Sequence, residues 1–162
     1  MGPKAIRLRK QLLNPLKFKL FTLFKVPMAR MAGLRMESLD EKECVTSVPF
    51  KFLNKNPFKS IYFAVQAMSA EFSTAALALL QIEEQEKSIA FIVVDLEAKF
   101  HKKAVDRVYF TCADGKNYQE ALDRVVQTEG HSETVKAHAI GRMKDGTVVS
   151  EFWVTWSFKA RS

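Results

Sequence analysis

The stretch that decides the fold is Ser60–Ile82, SIYFAVQAMSAEFSTAALALLQI. It is long enough for six turns of helix and apolar on nearly every side, so a helix here must be covered on most of its faces. Glu71 sits in its middle and is the only charged side chain between Ser60 and Glu83. A carboxylate placed there is costly unless it is solvated or hydrogen-bonded. The stretch has the length of a membrane span. Glu71, Gln66, Gln81, Ser69, Ser73 and Thr74 argue instead for the core helix of a folded domain, because a mid-span charge costs about 3 kcal/mol on insertion scales.

Outward from this helix the chain reads as strands. LRMESLD (34–40) and CVTSVPF (44–50) form a hairpin turning near Glu41-Lys42, and a loop broken by Asn54, Asn56 and Pro57 leads into the helix. After it, SIAFIVVDLEAKF (88–100) alternates. Ala90, Ile92, Val94, Leu96, Ala98 and Phe100 are predicted on one face, with Asp95, Glu97 and Lys99 on the other. AVDRVYFTC (104–112) is a further strand, and YQEALDRVVQT (118–128) is an amphipathic helix. ETVKAHAIGRM and TVVSEFWVTWSFKA flank Asp145-Gly146, a strong hairpin signal. A sheet curling round one greasy helix satisfies this order of elements most economically.

Before the strands, Asn14-Pro15 starts a short basic amphipathic helix with Leu16, Leu20 and Phe24 on one face; Pro27 ends it and Gly33 closes a second turn. The division expected is 1–32, a basic helical segment packed on the domain, and 33–162, one domain. Lys and Arg interrupt every apolar run of residues 1–26, which argues against a secretory signal, and Ile6 argues against myristoylation.

The chain has 162 residues, a formal charge of +7 and 13 Phe. The charge suits a phosphate-bearing partner or anionic lipid. No basic run interleaves with aromatics as in nucleic-acid readers, so nucleic acid is not expected. Lys99, Lys102, Lys103 and Arg107 cluster near one strand end. The spacing of Cys44 and Cys112 fits neither a disulfide scaffold nor a zinc site, and no metal is expected. Both cysteines are expected reduced, in the cytoplasm.

This layout resembles the hotdog fold, an α+β arrangement in which a curved antiparallel sheet of about six strands wraps one long helix. The phenylacetate-pathway and 4-hydroxybenzoyl-CoA thioesterases of that superfamily carry an Asn-containing loop, then His-Gly-Gly, then a helix with a catalytic Asp or Glu. Asn54-Lys55-Asn56-Pro57 matches the loop, Tyr62-Phe63-Ala64 stands in place of His-Gly-Gly, and Glu71 falls at the helix carboxylate. An uncharacterised bacterial branch shares the helix entry formed here by Asn54, Asn56, Tyr62, Ala67, Met68, Ala70, Glu71, Ser73 and Thr74.

The resemblance implies hydrolysis of an acyl-CoA or acyl-carrier thioester. Glu71, Asn56 and Thr74 would be catalytic, and Asn54, Tyr62, Phe63, Ala64 and Met68 would bind substrate. Coenzyme A enters as part of the substrate, with no other cofactor. The partner implied is a second copy, as a dimer or dimer of dimers through residues 88–100. Phe63 is bulkier than the glycine it replaces, which leaves a non-catalytic acyl- or lipid-binding protein as the alternative. A membrane-surface role for the N-terminal helix is a third.

Overall fold

The computed structural model describes residues 1–128 and 130–161. Three helices come first: α1 (Pro3–Leu13), α2 (Pro15–Lys25) and α3 (Pro27–Ala32). Each begins on a proline, whose fixed φ suits a first turn and whose missing N–H costs nothing there. Asn14 Oδ1 accepts from the amides of Leu16 and Lys17 and caps α2. Gly33 closes α3 in the left-handed region, φ 75°.

Strands β1 (Arg35–Leu39) and β2 (Cys44–Val48) follow, and a 3-10 turn (Phe52–Asn54) leads into α4 (Phe63–Ile82). Then come β3 (Ile89–Phe100), β4 (Val108–Cys112), α5 (Gly115–Gln127), β5 (Ser132–Met143) and β6 (Val148–Ala160). The six strands form one antiparallel sheet in the order β1-β2-β4-β5-β6-β3. This is the hotdog arrangement, α+β, with α4 laid against the sheet.

The helix lies close because its sheet-side positions are small: Ser69, Ala70, Ser73, Thr74 and Ala78 are all buried. Polar clasps fix its height and rotation. Thr46 Oγ1 donates to the Ser69 carbonyl at 2.7 Å, Ser150 Oγ to Gln66 Oε1 at 2.8 Å, and Trp156 Nε1 to Thr74 Oγ1 at 2.9 Å. Each satisfies a group whose burial unpaired would cost roughly 1–3 kcal/mol. By length and apolarity α4 could cross a bilayer, yet half of its most apolar window is buried inside this domain.

Gly115 opens α5 where the β1–β2 turn presses on it. A Cβ there would stand 2.0 Å from the Glu41 carbonyl oxygen and 2.8 Å from Lys42 Cα. Both are backbone atoms and cannot rotate away. Gly115→Ala is expected to cost about 2–4 kcal/mol and to lower the melting temperature by roughly 5–15 °C. Thermal unfolding followed by circular dichroism measures it.

Two expectations are corrected. The register of β3 shifts between Val93 and Asp95, where a bulge adds one residue. Phe91 and Val93 therefore lie opposite Phe158 and Trp156, and Leu96 and Ala98 opposite Val154 and Phe152, all of which face the core. Ile92 is thrown to the other face, so the alternation does not run unbroken from Ala90 to Phe100. Secondly, the N-terminal segment is three helices, and α2 is turned the other way from its pattern. Phe18 and Thr22 are buried, while Leu16, Leu20 and Phe24 face outward.

Cys44 and Cys112 sit opposite each other on β2 and β4, buried and free. Burial pushes both thiols up, that of Cys112 to about 12.

Candidate functional site

Two cavities flank α4. The first, about 610 Å³, opens at its N-terminus and is lined by Asn56, Tyr62, Phe63, Phe100, Lys102 and Lys103 among others. Its aromatic wall is continuous: Tyr62 packs edge-on to Phe63 with ring centres 4.8 Å apart, and Phe63 to Phe100 at 6.4 Å. Among the described residues no side chain caps α4, so the first-turn amides of Phe63 and Ala64 keep their hydrogens free for an acceptor. The helix dipole makes that acceptor's charge negative by preference.

The loop carrying Asn56 is fixed by that residue itself. Its Oδ1 accepts from the amides of Phe58 and Ser60 and from Ser60 Oγ, a turn held by its own side chain. Asn54 is buried and donates through Nδ2 to the Ala32 and Pro49 carbonyls, 2.8 Å each. It ties α3 to the loop, while its own Oδ1 is buried with no partner among the described residues.

The second cavity, about 390 Å³, lies between α4 and the N-terminal helices. Leu8, Leu12, Phe21, Phe72 and Leu79 make most of its wall, and Glu71 with Gln11 gives it its polar atoms. Glu71 is half-buried, and among the described residues no side chain or backbone donor reaches its carboxylate. Burial alone raises its pKa above the ordinary 4.5. A carboxylate with no protein partner, in an apolar hollow, is a base available to water or to an acyl group.

The sequence-predicted residues thus divide. Asn56, Tyr62 and Phe63 meet in the first cavity and Glu71 stands in the second. Asn54 and Thr74 are spent on structure. Thr74 Oγ1 accepts from the Trp156 indole and donates to the Glu71 carbonyl at 2.8 Å, not to its carboxylate. Thr74→Val keeps the shape but leaves a buried indole N–H unpaired. It should cost about 1–3 kcal/mol in urea unfolding and leave turnover of the folded protein unchanged. Ala64 is exposed and Met68 packs against the core edge.

The basic cluster also separates. Lys102 and Lys103 reach the first cavity, whereas Lys99 lies over the Trp153 ring and Arg107 donates to Ser47 Oγ. Leu8 and Phe21 beside Glu71 were not legible as site residues, because their contact with α4 is made across more than 50 positions. The signal present was Leu8 and Leu12 at i, i+4.

Within one protomer Glu71 and the free amides do not meet. Eight residues separate Phe63 from Glu71, about 12 Å of helical rise. The first cavity is nevertheless next to an uncovered edge. Among the described residues β3 pairs only with β6, and its free side carries exposed Ile92, Val93, Val94 and Leu96 as far as Phe100 on the cavity wall.

Comparison with known proteins places these observations. A probable thioesterase from Pseudomonas aeruginosa is similar over 93% of this chain and 99% of its own, at 16% identity and a TM-score of 0.74. A protein of unknown function from Chlorobaculum tepidum covers the same shares at 14% identity and a TM-score of 0.74. A thioesterase from Haemophilus influenzae matches 87% of this chain and 88% of its own, at 13% identity and a TM-score of 0.63. At such identities the likeness is one of fold. No curated protein matches the chain. Residues 16–158 match the family described as Domain of unknown function (DUF4442). The chain belongs to that family, on the hotdog fold.

Proposed function

We propose that this protein is a cytoplasmic thioesterase that hydrolyses an acyl-CoA or another acyl thioester, as a homodimer formed through residues 88–100. The observation that carries the reading is the partnerless, half-buried carboxylate of Glu71 in an apolar cavity of acyl size. The probable thioesterase from Pseudomonas aeruginosa and the thioesterase from Haemophilus influenzae, both of this fold, support the class of reaction.

Glu71 takes a proton from water, and the water oxygen attacks the thioester carbonyl carbon. The carbonyl oxygen becomes an oxyanion and is held by amide hydrogens at a helix start. The C–S bond then breaks, and the thiolate leaves with the proton that Glu71 returns. A carboxylate attacking directly, followed by hydrolysis of the anhydride, uses the same atoms.

Because Glu71 and its own helix start are about 12 Å apart, a shared site would draw the amides from the partner subunit. A two-fold partner pairing along β3 arrives beside Phe63 and Phe100, where the first cavity opens. Exposed Ile92 and Val94 favour such pairing, since a long apolar edge left bare is an aggregation hazard. Lys102 and Lys103 at that cavity suit the phosphates of the carrier.

One feature favours a second reading. Phe63 occupies the position where close approach calls for glycine, which suits a protein that holds an acyl chain without turning it over. Free-thiol release from a panel of short, medium and aromatic acyl-CoAs separates the two. Turnover of at least one supports hydrolysis, and binding without release from any supports the carrier.

A further inference from the structure

The outward face of the N-terminal helices has a chemistry of its own. Leu16, Leu20 and Phe24 repeat along α2 and point away from the domain, Phe24 being 76% exposed. Met28 and Met31 of α3 continue the exposed apolar surface, as does Phe52 of the 3-10 turn, 77% exposed. The elements are tied together: Lys51 Nζ donates to the Met31 carbonyl at 2.6 Å, and Asn54 Nδ2 to that of Ala32 at 2.8 Å. Scattered apolar side chains on a surface need no explanation, but a set this dense does.

The charge around this face is one-sided. Residues 1–36 hold nine of the chain's 25 Lys and Arg and none of its 18 Asp and Glu. The rest of the chain is slightly acidic, sixteen cations against eighteen acids. Among the described residues, the side-chain ion pairs all lie outside this segment. Between α2 and β1 a cavity of about 610 Å³ is lined by Lys19, Arg30, Arg35, Lys51 and Arg107 against the single carboxylate of Glu37.

We propose that the face made by α2, α3 and the 3-10 turn docks on an anionic phospholipid bilayer. The apolar side chains enter the acyl boundary, and the surrounding cations meet headgroup phosphates, the cavity behind α2 included. Both signals are what interfacial binding requires together. A second copy of the chain is a poor occupant, because a two-fold contact would set Lys17, Lys19, Lys25 and Arg30 of α2 and α3 against the same cations of the copy. Nucleic acid would meet the cations but leave the aliphatic side chains uncovered. Docking stands whether or not Glu71 turns over a thioester, and it is read without substrate.

The test is sedimentation of the full chain with phosphatidylcholine vesicles, with and without roughly one-third phosphatidylglycerol. Partitioning onto the anionic vesicles is expected to be at least about tenfold stronger, and to weaken as salt rises from about 0.1 M to about 0.5 M. Two surface double variants follow, L20D/F24D and K19E/R35E. Each should lower partitioning by about tenfold or more. Circular dichroism and gel filtration confirm that they fold. Absence of binding to either vesicle overturns the proposal. So does anionic binding that neither variant weakens. A change of oligomeric state in L20D/F24D also overturns it, because a second copy would then be what covers the face.

Discussion

Glu71→Gln is expected to lower thioester turnover by about 10²–10⁴-fold while the fold and acyl binding persist. The amide keeps the size of the side chain in its cavity but cannot accept the proton of water. The wild-type rate should carry an acid limb, since only the ionised carboxylate works. Burial raises the pKa above 4.5, so that limb is displaced upward from where an exposed glutamate would put it. Stability should move the opposite way. Between its unfolded and its raised folded pKa, Glu71 binds more protons in the folded state than in the unfolded. Its contribution to stability is therefore present below the unfolded pKa and lost as pH rises through the folded value. The Gln variant should be more stable than wild type at pH near 7 and no more stable near pH 4. Initial rates by thiol release and melting curves at both pH values measure these effects. A variant that loses turnover and gains stability marks a residue kept for chemistry.

The second large effect concerns the edge strand. Ile92→Glu with Val94→Glu places two like charges on the free side of β3, where both side chains are exposed in the single chain. In a two-fold pairing each meets its copy or a near neighbour, so the repulsion is felt twice. The double variant should be a folded monomer by light scattering, with turnover reduced at least about hundredfold because the oxyanion donors go with the partner. Folding should survive, since these side chains lie outside the core. A dimer that persists unchanged would remove residues 88–100 from the interface. A monomer with full activity would place the whole site in one chain.

Much of this fold could be read from the chain because its signals are local. Asp145-Gly146 turns β5 into β6, Gly33 stops α3, and the largely apolar run to Ile82 needs a sheet around it. The bulge at Val93–Asp95 was not legible, since one extra residue changes no composition and is fixed only by pairing with β6. The orientation of α2 was lost for another reason. Leu16, Leu20 and Phe24 make a good stripe, but Phe18 and Phe21 make contact with Phe72 of α4, and ring packing selected that face. At the site, Glu71 stood out because it is alone in its segment. What surrounds it comes from α1 and α2, and only the folded chain brings them there. Asn54 and Asn56 were legible as loop residues; Asn56 holds its own turn, whereas Asn54 ties α3 to the loop, a bond no local pattern announces.

The central claim is that the carboxylate of one subunit acts with the helix start of the other, and subunit mixing tests it directly. Phe63→Pro deletes one amide hydrogen at the first position of α4, where proline is tolerated, and Tyr62 already has the extended backbone that precedes proline. Phe63→Pro and Glu71→Gln should each be nearly inactive alone. Unfolded together and refolded, half of the dimers are hybrids, and each hybrid holds one intact site of two. Recovery of about a quarter of wild-type thiol release is the predicted result. Hybrids that form and recover none would contradict a shared site.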